Sequence, residues 1–417
     1  MSERIIVVGG GAAGLMAGGR AAELGAQVLL LEKTRQLGTK VRLTGNGRCN
    51  LTNDSPLREF LTHLGPNASF LRNAFARFFA PDTIAFFTER GVPTVTEEGH
   101  RVFPVSNSAH DVAGALRRYC LEHNVQFRYL SPVDELIVEE GQITGVRVGD
   151  LVLSAGQVIL ATGGMSYPTT GSSGDGYKLA EQVGHTIVPL RPGLVPLVTS
   201  DAFTPRLQGL SLQNVRVLLY KGDQLLASAT GDVVFTHFGI SGPAVLTLSV
   251  AAADALQQGP LRLVLDMRPE LDDAQLDAQL RQDLAAAGKA SYHSLLKRML
   301  PRTAVDVFRE RSEIPADQWI NQFTAEQRGR LRRLLKAFDL TVVGTRPINE
   351  AMITLGGVDV AEIDPRTMAS RLVQGLYFAG EIIDVAGDTG GYNLQVAFTT
   401  GYLAGEHAAR TFLERNS

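Results

Sequence analysis

The sequence predicts an α/β fold, a parallel sheet with helices on both faces. Two observations predict it. The first is an unbroken strand–glycine–helix–strand unit at the N-terminus, RIIVVGGGAAGLMAGGRAAELGAQVLLLEK. The second is its partial echo at 158–185 (VILATGGMSYPTTGSSGDGYKLAEQVGH) and 375–409 (GLYFAGEIIDVAGDTGGYNLQVAFTTGYLAGEHAA). In both echoes an apolar strand runs into a glycine loop and then a helix. Wholly apolar strands such as Ile5 to Val8 belong to sheets covered on both faces.

In the first unit Gly9, Gly11 and Gly14 spell G-x-G-x-x-G, with Ala13 inside the turn. Gly9 permits the tight turn, Gly11 lets backbone approach a pyrophosphate, and Gly14 lets the helix pack close to the strand. The helix-start N–H groups and dipole hold phosphates. Glu32 ends the second strand, with Lys33 after it, and is placed to accept hydrogen bonds from ribose hydroxyls. Together these residues form a Rossmann-like dinucleotide-binding unit. A glutamate at this position disfavours a 2′-phosphate, which leaves FAD or NAD.

Residues 41–53, VRLTGNGRCNLTN, place Arg42, Gly45, Asn46, Gly47, Arg48, Cys49 and Asn50 in one loop without an apolar period. The loop is expected to follow the dinucleotide towards its reactive end, with Gly45 and Gly47 giving close approach. Asn46 and Asn50 are expected to bond the cofactor, and Arg48 to pair its pyrophosphate.

At 158–185, Thr162, Gly163 and Gly164 are small enough to let the chain cross the dinucleotide closely. At 375–409, Gly380 and Glu381 end a strand, and Asp388, Gly390, Gly391, Tyr392, Asn393 and Leu394 lead into the last helix. In two-dinucleotide-fold flavoproteins that acid meets the ribityl chain, and the last helix points its N-terminus at the flavin pyrimidine, where its dipole stabilises negative charge. An NAD dehydrogenase has no use for such a loop, so FAD is expected. No second strand–GxGxxG–helix unit exists, so NAD(P)H is expected only as a transient electron donor.

Composition sets the remaining bounds. At 417 residues, two or three domains are expected. Apolar residues at 44% and charged residues at 20% are ordinary for a globular protein. A net charge of −3 gives no global basic field for nucleic acid or membrane. No run of about 18 apolar residues predicts a spanning helix, and glycine interrupts the N-terminal apolar run too densely for a signal peptide. Two cysteines make no disulfide framework, and a cytoplasmic, reduced setting is expected. Cys120 reads as a buried core thiol at helical spacing. The histidines and cysteines show no metal-ligand spacing, and neither G-x-S-x-G nor a P-loop occurs.

The chain resembles the BaiN/RdsA-type NAD(P)/FAD-dependent oxidoreductases, a family that includes ribosomal RNA dihydrouridine synthase and aminoacetone oxidase. The resemblance covers nearly the whole length and rests on GGGAAG, TGNGRCNLTN, RVFPVSNSAHDV, ATGGMSYPTTGSSGDGY, FTHFGISGPAVL, RPINEAMITLGGV and GLYFAGEIIDVAGDTGGYNLQVAFTTG. It implies a discontinuous FAD-binding domain at 1–190 plus 345–417. It also implies an inserted β-rich domain at 191–265 and an inserted helical domain at 266–344. Strand-like runs such as NVRVLLY and LRLVLDM, then a glycine-poor helical pattern after MRPELDDAQL, agree with this division.

The shared chemistry of such proteins is hydride exchange at flavin N5. For an enone or a uracil ring, hydride reaches the β-carbon, an acid protonates the α-carbon, and donors hold the developing enolate oxygen. The candidates are Cys49 as proton donor, Arg42 and Arg48 as cations, His237 in FTHFGISGP and Arg101 in GHRVFP. Uridine in large-subunit ribosomal RNA is the leading substrate. The alternatives are a small-molecule enone reductase or amine oxidase, and a flavin-binding redox sensor without turnover. Residues 281–339 carry twelve Lys/Arg against seven Asp/Glu, densest in RGRLRRLLKAF (328–338). This segment is the candidate contact with RNA phosphates, the alternative being a solvated helix face.

Overall fold

The computed structural model describes residues 4–416. Residues 1–3 and 417, which the expected domain bounds include, lie outside the described residues. The chain divides into two compact units, one of the residues up to Arg191 and from Met352 onward, the other Pro192–Ala351.

The first unit is organised by a five-stranded parallel sheet in the order Leu376–Phe378, Gln157–Leu160, Ile5–Val8, Val28–Leu31, Gln126–Arg128. Ile5 pairs with Val28 on one side and Gln157 on the other, so the first strand of the chain is central. All four residues of Ile5–Val8 are buried, as their unbroken apolar character requires. The chain moves outward from Ile5–Val8 in one direction and later returns on its other side. The sheet therefore has a topological switch point, where ligands bind at the carboxyl ends of strands.

The N-terminal helix Ala12–Glu23 and the C-terminal helix Tyr392–Asn416 pack on each other at a close crossing. A Cβ at Gly401 would lie 2.4 Å from the Ala13 carbonyl oxygen, and one at Gly405 2.3 Å from that of Ala17. The spacing in GYLAG thus lets two backbones touch. A small antiparallel sheet of Thr52–Asn53, Arg101–Pro104 and Thr94–Glu97 sits in the same unit.

The second unit is a closed six-stranded barrel with a helical segment inserted before its last strand, Phe338–Thr345. A period of two is visible in the strand Ser211–Lys221, where Val215, Val217 and Leu219 face the core. The helices start on local signals: Asp272 and Gln275 form a reciprocal cap, as do Thr324 and Gln327. Leu276, Leu280, Leu296, Phe308 and Leu331 of the helices share one hydrophobic core with Val217, Leu263 and Phe338 of the barrel. The stretches expected as a β-rich and a helical domain thus form a single unit, because the strand that closes the barrel follows the helices. Among the described residues no helix is long and apolar enough to cross a membrane.

Candidate cofactor cleft

A cleft opens at the carboxyl ends of four of the parallel strands, lined by Gly9, Glu32, Ala161 and Ala379, the residues that directly follow them. The three motif glycines differ in what demands them. Gly9 has φ +105°, and a Cβ there would lie 2.5 Å from the Ala161 oxygen. A Cβ at Gly14 would lie 1.8 Å from the Gly9 oxygen, so that glycine is required by helix–strand packing. Gly11 caps the helix with φ −83°, which any residue adopts, and a Cβ there would meet nothing within 4 Å. The protein alone has no need of glycine at this position; a ligand filling the open space at the helix start does.

Glu32 is buried, and its carboxylate accepts the Gly10 N–H at 2.8 Å and the Thr34 N–H at 2.7 Å. Two backbone donors fix its orientation while lone pairs remain for ribose hydroxyls. Lys33 Nζ donates to Asp175 at 2.6 Å and also to Ser173. Burial pulls the Asp175 carboxyl up, but bonds from Lys33 and Ser173 hold it below its ordinary value. Thr162 lines the cleft, and its Oγ1 is buried against Gly176 without a partner among the described residues. Gly163 also lines the cleft, with φ +74°. Gly164 stands behind it, where a Cβ would lie 2.4 Å from Thr354 Oγ1.

Gly380 and Glu381 line the cleft from the last strand. Glu381 accepts from Lys40 Nζ at 2.6 Å, Ser166 Oγ at 3.1 Å and the Thr354 N–H at 2.8 Å. Lys40 also donates to Ser166 at 2.6 Å. The sequence reading did not single out Lys40, although it immediately precedes the 41–53 loop; nothing local reveals its partner. Thr354 lies in the RPINEAMITLGGV motif, which marked it only as part of the family pattern.

Ala13, Asn393 and Leu394 line the cleft too. Asn393 braces the turn before the last helix, accepting from the Gly387 N–H and donating to the Gly387 carbonyl, both at 2.8 Å. The first turn of Tyr392–Asn416 carries no acid, so its N-terminal dipole is uncompensated. Asp388, Gly390, Gly391 and Tyr392 are not in the cleft lining. Asp388 instead accepts from His63 Nδ1 at 3.0 Å, and His63 stacks on Tyr392 with ring centroids 4.6 Å apart. Burial raises the Asp388 carboxyl above its ordinary value and pushes the Tyr392 phenol up to about 12.

The 41–53 loop lies mostly behind the cleft wall. Its residues Val41 and Thr44 line the cleft; Arg42, Gly45, Asn46, Gly47, Arg48, Cys49 and Asn50 do not. Gly45 and Asn46 are left-handed (φ +56° and +55°), as is Cys49 (φ +63°), so the loop coils tightly on itself. Arg48 is taken up by Glu97 and by Asn107 (2.7 Å), with its guanidinium over the Phe103 ring at 4.2 Å. This is the physical reason that it turns away from the expected pyrophosphate. Arg42 donates to Gln36 at 2.9 Å. Asn50 Oδ1 is buried without a partner among the described residues, close to where Gly391 packs on Thr52. Cys49 is fully buried, and burial pushes its thiol up to about 12 despite a hydrogen bond with Thr44.

Of the other candidates, Arg101 is exposed and donates to the Glu98 carbonyl at 3.0 Å. His237 belongs to the second unit, exposed beside Phe238. No group of three or more His, Cys, Asp or Glu among the described residues is arranged to hold a metal.

Fold and cleft together define an FAD-dependent oxidoreductase. The chain belongs to the HI0933-like family, whose Rossmann-domain model matches residues 3–407. It is 34% identical to the 3-dehydro-bile acid delta(4,6)-reductase of Clostridium scindens, over 97% of this chain and 99% of the relative. It is 32% identical to the ribosomal RNA dihydrouridine synthase of Escherichia coli, over 96% of both chains. Among solved structures, the 3-ketosteroid delta1-dehydrogenase of Sterolibacterium denitrificans shares the fold. Its TM-score is 0.52 at 16% identity, covering 98% of this chain and 99% of that one.

Proposed function

We propose that this chain is a reductase that adds hydrogen across a conjugated C=C bond, with uridine in large-subunit ribosomal RNA as its substrate and NAD(P)H as its electron donor. The observation that carries the chemistry is a shared one. Two relatives of nearly equal identity are named for saturating a ring double bond, one in a bile acid and one in a uridine. Exposed cations of the second unit that have no acidic partner among the described residues, such as Lys297 and Arg298, favour the nucleic acid over the small molecule. The small-molecule enone remains the second reading, favoured by the slightly higher identity of the bile acid reductase.

A bound flavin supplies hydride from N5. The remaining tasks fall to side chains and backbone. The open space over Gly11 receives a pyrophosphate at the helix start, and Glu32 orients a ribose. Glu381, clamped by Lys40 and Thr354, presents its carboxylate to polyol hydroxyls. The start of Tyr392–Asn416 favours negative charge near Asn393 and Leu394. Cys49 keeps its proton at neutral pH, is hydrogen-bonded to Thr44 and is absent from the cleft lining, which supports a packing role over proton donation.

The purified protein is expected to be yellow, and anaerobic NADPH or NADH to bleach it. Mass spectrometry of ribosomal RNA from a deletion strain is expected to show the loss of one dihydrouridine. Retention of every dihydrouridine overturns the RNA assignment and leaves the small-molecule enone, while a flavin that neither nucleotide bleaches overturns the donor.

A further inference from the structure

Most of the basic run at 328–338 is neutralised within the fold. Arg328 pairs with Asp277 at 2.7 Å, Arg330 with Glu326 at 2.8 Å, Arg332 with Asp273 at 3.3 Å and Lys336 with Asp266 at 2.6 Å. Asp273 and Asp277 precede the segment whose charge was counted, so the local excess looked larger than it is. The free cations lie elsewhere. Lys289, Lys297, Arg298 and Arg302 are exposed, and none has a hydrogen bond or ion pair among the described residues. They flank and cap one helix, Tyr292–Met299, whose opposite face buries Tyr292, Leu295 and Leu296.

Beside this helix stands the only tryptophan of the chain, Trp319, with 52% of its surface exposed. Its backbone is fixed. Trp319 forms a bridge with Ser291, Tyr292 N–H donates to the Gln318 carbonyl at 2.9 Å, and Ile320 N–H donates to the Ala290 carbonyl at 3.0 Å. Buried Ile320 and Tyr292 anchor both sides of the contact. A large aromatic residue half exposed on an anchored backbone, beside a helix that carries unpaired cations, has no role in the core. Of the acids near these residues in sequence, Asp306 pairs with Arg309 at 3.5 Å and Asp317 is exposed.

We infer that this face of the second unit docks single-stranded RNA, with Trp319 as a stacking platform for an unpaired base and Lys289, Lys297, Arg298 and Arg302 as phosphate contacts. Stacking on an aromatic ring combined with a track of cations is the general means of holding a single strand without reading its sequence. Ser291 and Lys297 are about 9 Å apart along the helix axis, so the ring and the cations lie within reach of one short strand. The inference rests on the RNA reading of the substrate, but its test does not require turnover.

Because Trp319 is the sole tryptophan, its fluorescence reports on the surface directly. The FAD-loaded full-length protein is titrated with single-stranded oligouridylate. Saturable quenching is expected. Read by the anisotropy of a dye-labelled oligouridylate, which needs no tryptophan, Trp319→Ala should weaken binding by roughly 5- to 150-fold, and Trp319→Phe should retain most of it. The pair Lys297→Ala and Arg298→Ala should flatten the slope of log affinity against log salt by about 1.4. FAD content and bleaching by NADPH should be unchanged in every variant. RNA that binds the wild type without quenching, or that binds Trp319→Ala and the Lys297→Ala, Arg298→Ala pair as well as wild type, overturns the surface. So does the absence of any RNA binding. Quenching in a protein whose deletion leaves every dihydrouridine in place upholds the surface and overturns only the substrate.

Discussion

A side chain at Gly14 would strike the carbonyl of Gly9, whereas one at Gly11 would enter open space from an ordinary backbone conformation. The two glycines therefore separate folding from binding. Gly11→Ala is expected to weaken FAD retention while changing the stability of the FAD-free protein by less than about 1 kcal/mol, because the gain from a less flexible unfolded chain is opposed by the poorer helix cap that alanine makes. Chemical unfolding of the stripped protein and flavin content after purification measure the two effects. Equal loss of stability and flavin would show instead that Gly11 serves the fold. At this scale the sequence was informative where a residue acts through its own backbone or chain neighbours, as Gly9, Gly14 and Glu32 do. It could not reveal Lys40, whose partner Glu381 is 341 positions away.

The N-terminal and C-terminal helices of the first unit meet where Gly401 and Gly405 face the backbone of Ala13 and Ala17. Backbone atoms cannot rotate aside as side chains can. Gly405→Val is therefore expected to destabilise the protein by about 1–3 kcal/mol or more, read as a lower urea midpoint. An unchanged midpoint would mean that the helices can separate at no cost. The 41–53 loop shows the limit of reading an element from composition. Its turn formers led to the expectation of a chain running along the dinucleotide, whereas the loop coils on itself and only Val41 and Thr44 of it line the cleft. Its arginines suggested phosphate contact, but Glu97, from a strand of the small sheet, claims Arg48 first. The basic helix at 328–338 repeats the lesson, since Asp273 and Asp277 supply counter-charges from the neighbouring helix.

On the scale of the whole molecule, the first unit is discontinuous in sequence, and His185 ties its two parts together. Its side chain is fully buried, with Nδ1 2.9 Å from Glu362 and Nε2 2.8 Å from Ser370. Ser370 Oγ also accepts the Leu372 and Val373 N–H groups, so this Ser–His–Glu array leaves no lone pair for nucleophilic attack and is structural. Burial lowers the His185 pKa below its ordinary 6.5, even though Glu362 opposes the shift. Burial raises the Glu362 carboxyl, but bonds from Thr186 and His185 leave it below its ordinary 4.5. Both folded pKa values are depressed, so both contributions are complete above about pH 6.5 and are lost on acidification. The His185 share goes first, as pH falls below 6.5, and the Glu362 share follows below 4.5. A melting series from pH 7 to 4 should show stability falling with acid. His185→Gln should flatten the upper part of that fall by at most about 1.4 kcal/mol per pH unit. An identical pH profile in the variant would remove His185 from the linkage.

The amino-acid order alone was enough for the parallel sheet, the dinucleotide turn and the acid that follows it, because each depends on spacing within some thirty residues. It was also enough to show that a second strand–loop–helix segment and a C-terminal one return to the same sheet. Which polar groups meet in the cleft, which arginines remain free, and that barrel and helices share one core were settled in three dimensions. Those outcomes depend on competition among partners far apart in the chain, and a charge is available to a ligand only when no nearer counter-charge has claimed it.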